Sequence, residues 1–164
     1  MERKDYRIAV VTVSDRSYNG EREDLSGPRL TSCLENDGYR VLEYRLVPDE
    51  QTLIEKTLID LCDNLDADLV LTTGGTGMAS RDVTPEATMS IAHRNVPGIA
   101  EAIRAGNLAV TKHAMLSRGV SVTRGNTLII NFPGSPNACE ESYSVIRDAL
   151  EHALALLRGE KPDK

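Results

Sequence analysis

Two aspartates and a run of glycines are the residues of this chain best suited to chemistry. Gly74, Gly75 and Gly77 lie in TTGGTG (Thr72–Gly77), directly after the apolar run Leu69-Val70-Leu71. Glycines at such a place let the backbone take positive φ, and amides free of side chains can turn inward as an anion-binding concavity. Asp82 follows the glycines, and a carboxylate beside an anion cradle repels a phosphate unless a cation lies between them. The combination points to Mg²⁺, which is often held by one or two carboxylates together with ligand phosphates. Asp49, after an apolar segment ending at Val47, supplies the second acid. Each feature alone has a plainer reading. GGTG makes a tight turn, Asp49 caps a helix, Asp82 caps a loop, and Ser14 and Ser117 satisfy backbone groups. Arg81 and Arg118 fall near the same rim, and their plainer reading is a solvated surface charge. What favours chemistry is the pair of acids from separate strand ends beside one glycine turn.

Other chemistries find no support. GxGxxG and GxxxxGK[ST] are missing, which excludes the dinucleotide fingerprint and the P-loop. His93, His113 and His152 have no metal-ligand spacing, and no Ser-His or Cys-His arrangement suggests covalent hydrolysis.

The elements that must position these residues alternate. Ile8–Val13 (IAVVTV) reads as a buried first strand. A long polar loop follows, then a helix over Pro28–Asp37 stopped by Gly38. Arg40–Val47 alternates in polarity and reads as an edge strand. Leu53, Ile54, Leu58, Leu61, Cys62 and Leu65 keep helical spacing. After the glycine turn, Thr84 as N-cap, Pro85 and Glu86 open a helix running to about Arg94. A second helix ends at Ala105 with Gly106 as its stop, and a short helix falls within Thr111–Arg118. Val120–Thr123 and Thr127–Phe132, separated by Arg124-Gly125-Asn126, read as a hairpin, so one late strand runs antiparallel. A long helix carries Cys139, Tyr143, Ile146, Leu150, Ala153 and Leu157 on one stripe. The order predicts one α/β domain over residues 1–164, a three-layer α/β/α sandwich with a mostly parallel sheet and loose ends at 1–6 and 160–164. Ligands in such sheets bind beyond the carboxyl ends of the strands. Ser14-Asp15, Asp49, Gly74–Gly77 with Asp82, and Pro133–Pro136 all fall there.

The 164 residues suffice for one real core, and with no Trp and one Phe that core is aliphatic. The net charge of −6 argues against nucleic acid as partner, though not against a phosphorylated small ligand. Three scattered cysteines without CxxC fit reduced thiols and a cytoplasmic setting. The polar start, Met1-Glu2-Arg3-Lys4-Asp5, lacks a leader pattern, and no run is apolar enough to span a membrane.

Seven segments together resemble the molybdopterin adenylyltransferase family, which includes Mog-type enzymes and the Cnx and gephyrin G-domains. They are VTVSD (Val11–Asp15), SGPRL (Ser26–Leu30), VPDE (Val47–Glu50), TTGGTG, RDVTPEAT (Arg81–Thr88), AMLSRG (Ala114–Gly119) and TLIINFPGSPNA (Thr127–Ala138). The resemblance implies a homotrimer in molybdenum cofactor biosynthesis. It also implies Mg²⁺-dependent transfer of AMP from ATP to the terminal phosphate of molybdopterin, with release of pyrophosphate. Asp49 and Asp82 match the family's essential aspartates and are assigned to Mg²⁺ and to orienting the phosphates. The amides of Gly74, Gly75, Thr76 and Gly77 are assigned to phosphate, Ser14 and Asp15 to the nucleotide side, and Ser117, Gly134, Ser135 and Pro136 to the substrate site. A molybdenum insertase is the implied downstream partner. MoaB-type relatives without turnover supply the alternative, a non-catalytic pterin-binding or scaffold protein. Inactive members depart from RDVTPEAT and PGSP, and this chain keeps both.

Overall fold

A computed structural model describes residues 4–162. Three parallel strands form the centre of a six-stranded sheet: β1 (Ile8–Val13), β3 (Leu69–Thr73) and β6 (Thr127–Phe132). β2 (Val41–Val47) pairs parallel to β1 at one edge, as its alternating polarity predicts. On the other side β5 (Ser121–Arg124) runs antiparallel to β6 and carries a two-residue edge strand, β4 (Arg94–Asn95). The order is β2-β1-β3-β6-β5-β4.

All residues of β1, β3 and β6 are buried, because both faces are covered. Successive side chains point to opposite faces of a strand. Ile8 and Val10 accordingly enter one core with Leu69, Leu71, Leu128, Ile130 and Phe132. Helices α2 (Ser26–Asn36), α5 (Pro97–Leu108) and α6 (Pro136–Leu157) cover that face. Ala9, Val11 and Val13 enter the opposite core, under α3 (Gln51–Ile59) and α4 (Thr84–Ile91).

Several local expectations need correction. The long loop after β1 begins with a one-turn helix, α1 (Asp15–Tyr18), and α2 starts at Ser26 rather than Pro28. The α3 spacing continues through a π-turn over Asp60–Asn64. Helix α4 stops at Ile91, ahead of β4, which the sequence reading missed. Helix α5 passes through Gly106 instead of ending there. A Cβ at Gly106 would lie 2.6 Å from Val145 Cγ2, so this glycine serves the close crossing of α5 and α6. Thr111–Arg118 holds only a 3₁₀ turn, Lys112–Leu116. The loose start read over 1–6 does not extend to its described part. Lys4 N–H donates to Gly38 O at 3.1 Å, and Tyr6 is buried under the Arg158 guanidinium, 4.3 Å from its ring centroid. Residues 1–3 and 163–164 of the two expected ends lie outside the described residues.

Candidate active site

Strand order reverses at β1, between β2 and β3, and the site stands beyond the carboxyl ends there. Leaving β3, the chain takes φ +97° at Gly74 and +69° at Gly75. A Cβ at Gly74 would lie 2.3 Å from the Val13 carbonyl oxygen, so only glycine lets the turn pass this close to β1. Thr84 is not the N-cap of α4, a place that Val83 takes. Its hydroxyl donates to Gly74 O at 3.0 Å and its N–H to Gly75 O at 3.1 Å, which ties the start of α4 to the turn.

The two acids stand on either side of this turn. A Cβ at Gly75 would lie 3.1 Å from Asp49 Oδ1, and one at Gly77 would lie 2.9 Å from Asp82 Oδ2. Asp49 does not cap α3, whose cap is Glu50 without a side-chain bond. Instead Asp49 Oδ2 accepts the Asp15 N–H at 2.9 Å, and Asp15 Oδ1 accepts the Asp49 N–H at 2.9 Å. This reciprocal pair locks the ends of β1 and β2 together. Burial, with the Asp15 and Asp82 charges nearby, raises the Asp49 pKa above the ordinary 3.8. Asp82 Oδ2 accepts the Ala79 N–H at 3.0 Å, so the loop-cap reading is part of its role.

Two hollows meet here. The larger, of about 640 Å³, is walled by Thr76, Met78, Ile103, Asn107, Leu116 and Ser117. The smaller, of about 530 Å³, is walled by Ser14, Asp15, Arg22, Asp49 and Gly74. Gly75, Asp82, Gly134 and Ser135 line both. Of the residues assigned to metal, phosphate, nucleotide or substrate from the sequence, Pro136 alone lies on neither wall, since it opens α6. Ser14 and Ser135 also act locally: the Ser14 Oγ accepts from Ser17 N–H at 3.1 Å and caps α1, and the Ser135 Oγ accepts from Ala138 N–H at 3.0 Å and caps α6.

Sequence reasoning overlooked two residues and left the role of a third, Arg118, open beside the rim. Asp24 lines the smaller hollow and is saturated. Its Oδ1 accepts from Ser26 N–H, Ser26 Oγ and Gly27 N–H, and its Oδ2 from Thr12 Oγ1 and the Tyr44 hydroxyl. The aspartate two residues before Ser26 was a legible helix-start signal. Arg22 lies on the same wall, in the loop read only as long and polar. Arg118 is no idle surface charge. It donates from Nε to Gly77 O, from Nη2 to Asp82 O and from Nη1 to both Glu86 oxygens, all at 2.8 Å, while its N–H donates to Thr76 O at 2.8 Å.

Burial opposes ionisation of Asp24, but the donors from Tyr44, Thr12, Gly27 and Ser26 outweigh it and hold its pKa below the ordinary 3.8. A carboxyl with a depressed folded pKa adds stability above the unfolded value and loses it as pH falls through the folded one. Asp24→Asn is therefore expected to cost about 1–3 kcal/mol at neutral pH. In urea titrations this gap should be full above about pH 5 and close below about pH 4. A gap independent of pH would show that the Asp24 charge is immaterial.

The chain belongs to the molybdopterin-binding domain family, as its sequence and its fold both show. The profile described as probable molybdopterin binding domain matches residues 9–152. The molybdopterin adenylyltransferase of Escherichia coli K12 is 46% identical over 147 residues, covering 87% of this chain and 74% of that protein. The molybdopterin adenylyltransferase of Helicobacter pylori J99 is 42% identical over 154 residues, covering 93% and 88%. Among solved structures, the molybdopterin biosynthesis enzyme MoaB of Thermus thermophilus superimposes with a TM-score of 0.90. It is 46% identical, with 97% of this chain and 99% of that one covered.

Proposed function

We propose that this protein is a molybdopterin adenylyltransferase of molybdenum cofactor biosynthesis. The observation that carries the reading is the shared wall: two hollows, one for each substrate, open onto Asp82, Gly75, Gly134 and Ser135. A group-transfer enzyme needs its two ligands to meet at one point. ATP occupies the smaller hollow and the pterin the larger one, where Ser117 forms part of the wall. An oxygen of the pterin's terminal phosphate attacks the α-phosphorus of ATP. One P–O bond forms, and the bond to the bridging oxygen breaks with its electron pair leaving on pyrophosphate. No covalent enzyme intermediate is needed, so positioning and charge neutralisation dominate.

The residues fit Mg²⁺. Two carboxylates flank a glycine turn, one of them held above its ordinary pKa, a position that a cation would relieve. Among the described residues no three His, Cys, Asp or Glu groups gather as a protein-only metal cage. Asp49 and Asp82 would hold the ion, with phosphate oxygens and water as the remaining ligands, and it would offset charge on the transferring phosphates. The Gly75–Gly77 amides hold phosphate, whereas the Gly74 N–H, also assigned to phosphate from the sequence, is spent on Phe132 O at 3.1 Å; Ser14 and Asp15 face the nucleotide, and Pro136 opens α6 beside Gly134 and Ser135.

A homotrimer also belongs to this proposal. Its contact would lie at Leu108, Val110, Met115 and Leu116, exposed apolar residues on and just after α5. A cytoplasmic setting and an insertase that receives the product complete it. No helix among the described residues is long and apolar enough to cross a membrane. The test is pyrophosphate release from ATP. It is expected only when molybdopterin and Mg²⁺ are both present. Tight pterin binding without nucleotide turnover would instead support the non-catalytic scaffold.

A further inference from the structure

The smaller hollow has a charge problem. Asp15, Asp24, Asp49 and Asp82 all line it against only two arginines, Arg16 and Arg22, yet it must take a triphosphate. Asp24 is saturated by five hydrogen bonds, and Asp49 with Asp82 is assigned to the ion. Asp15 remains. Its partner is Arg81, which donates from Nε to Oδ2 at 2.9 Å and from Nη2 to Oδ1 at 3.0 Å. Among the described residues both side-chain hydrogen bonds of Arg81 go to Asp15, and the arginine side chain is 58% exposed. An exposed pair of this kind contributes little and is readily exchanged.

In-line displacement fixes where the leaving group lies. The attacking oxygen comes from the larger hollow, so the pyrophosphate must depart on the opposite side of the α-phosphorus, within the smaller hollow. Asp15 lines that hollow together with Arg16 and Arg22, and the Arg81 guanidinium, outside the wall itself, is held to it through Asp15. We infer that Arg81 is a catalytic residue held in reserve by Asp15, and that it transfers its two N–H donors to the β- and γ-phosphates when nucleotide enters. The pair splits, Asp15 keeps its bond to the Asp49 N–H, and Arg81 stabilises the charge that collects on pyrophosphate as the Pα–O bond breaks. This rests on the adenylyltransferase reading and extends it to a named residue.

The experiment is calorimetric titration of the wild-type protein, Arg81→Ala, Arg81→Lys, Asp15→Asn and the double variant Asp15→Asn/Arg81→Ala with Mg-ATP, Mg-pyrophosphate and AMP. Arg81→Ala is expected to weaken Mg-ATP and Mg-pyrophosphate about tenfold or more and to leave AMP within about twofold. Arg81→Lys should recover only part of this loss, because a lysine lacks the paired donors. Asp15→Asn should tighten Mg-ATP about threefold or more, an effect lost when Arg81 is absent. Pyrophosphate affinity unchanged in Arg81→Ala overturns the inference. So does Asp15→Asn weakening ATP as Arg81→Ala does, which marks the pair as a structural strap. Equal tightening by Asp15→Asn with and without Arg81 also overturns it, because charge repulsion alone then explains the effect. A wild type that binds no nucleotide at all fells the adenylyltransferase reading itself, and this inference with it.

Discussion

Asp82→Asn is expected to lower turnover of ATP with molybdopterin by about 10³-fold or more and to leave the fold standing. Asp82 lines both hollows, so its charge acts where bonds form and break. The substitution keeps an oxygen that can still accept the Ala79 N–H, the one bond its carboxylate makes among the described residues. The melting temperature should therefore move by less than about 3 °C. Steady-state assays and a thermal melt on the same preparation check both halves. Undiminished turnover would remove Asp82 from the mechanism, and a collapsed melt would make it a structural residue. Asp49→Asn should be equally inactive for a different physical reason. Its carboxyl is disfavoured as an anion by burial, so a cation bound there would offset that cost.

Arg118→Ala should cost about 10²-fold in kcat while KM for ATP changes little. The Arg118 guanidinium bridges Gly77 O and Asp82 O, the two ends of the loop whose last residue is the acid. Losing it frees that loop rather than removing a contact with nucleotide, and a displacement of about 1 Å in a reacting group has an effect of this size. Arg118→Lys keeps a charge but has no planar fork to reach two carbonyls and Glu86 together, so it should stay closer to alanine than to wild type. Glu86→Gln breaks only the ion pair and should lose far less. A rise in KM with kcat unchanged would instead place Arg118 on the substrate.

The sequence made much of this visible, and its silences have physical causes. The runs Ile8–Val13 and Thr127–Phe132 are apolar throughout because both faces of the central strands are covered, so their place in the sheet was legible. The four rim segments were legible for the same reason, since strand ends in a parallel sheet share a side. Relations made by long-range contact were not. Arg118 holds groups more than 30 residues away, and nothing in AMLSRG marks it as a clamp. Gly106 carries the same local signal as a helix stop, and only the approach of Val145 shows its use. β4 is two residues long, too short for periodicity to register. Thr84 has the side chain of an N-cap, yet its hydroxyl bonds the glycine turn, a partner ten positions back.

The reversed direction of β5 sorts the chain's tolerance for change. A strand that runs backward in such a sheet brings its upstream neighbour to the working edge, which is how Ser117 and Arg118 arrive beside Asp82. Its downstream turn at Gly125 and Asn126 is carried to the far side, where Gly125 N–H rests on His93 Nδ1. Growth or shortening of the polypeptide can therefore accumulate at that distal tip without touching catalysis, whereas one inserted residue just ahead of Ser121 would drag the clamp off the acid it steadies.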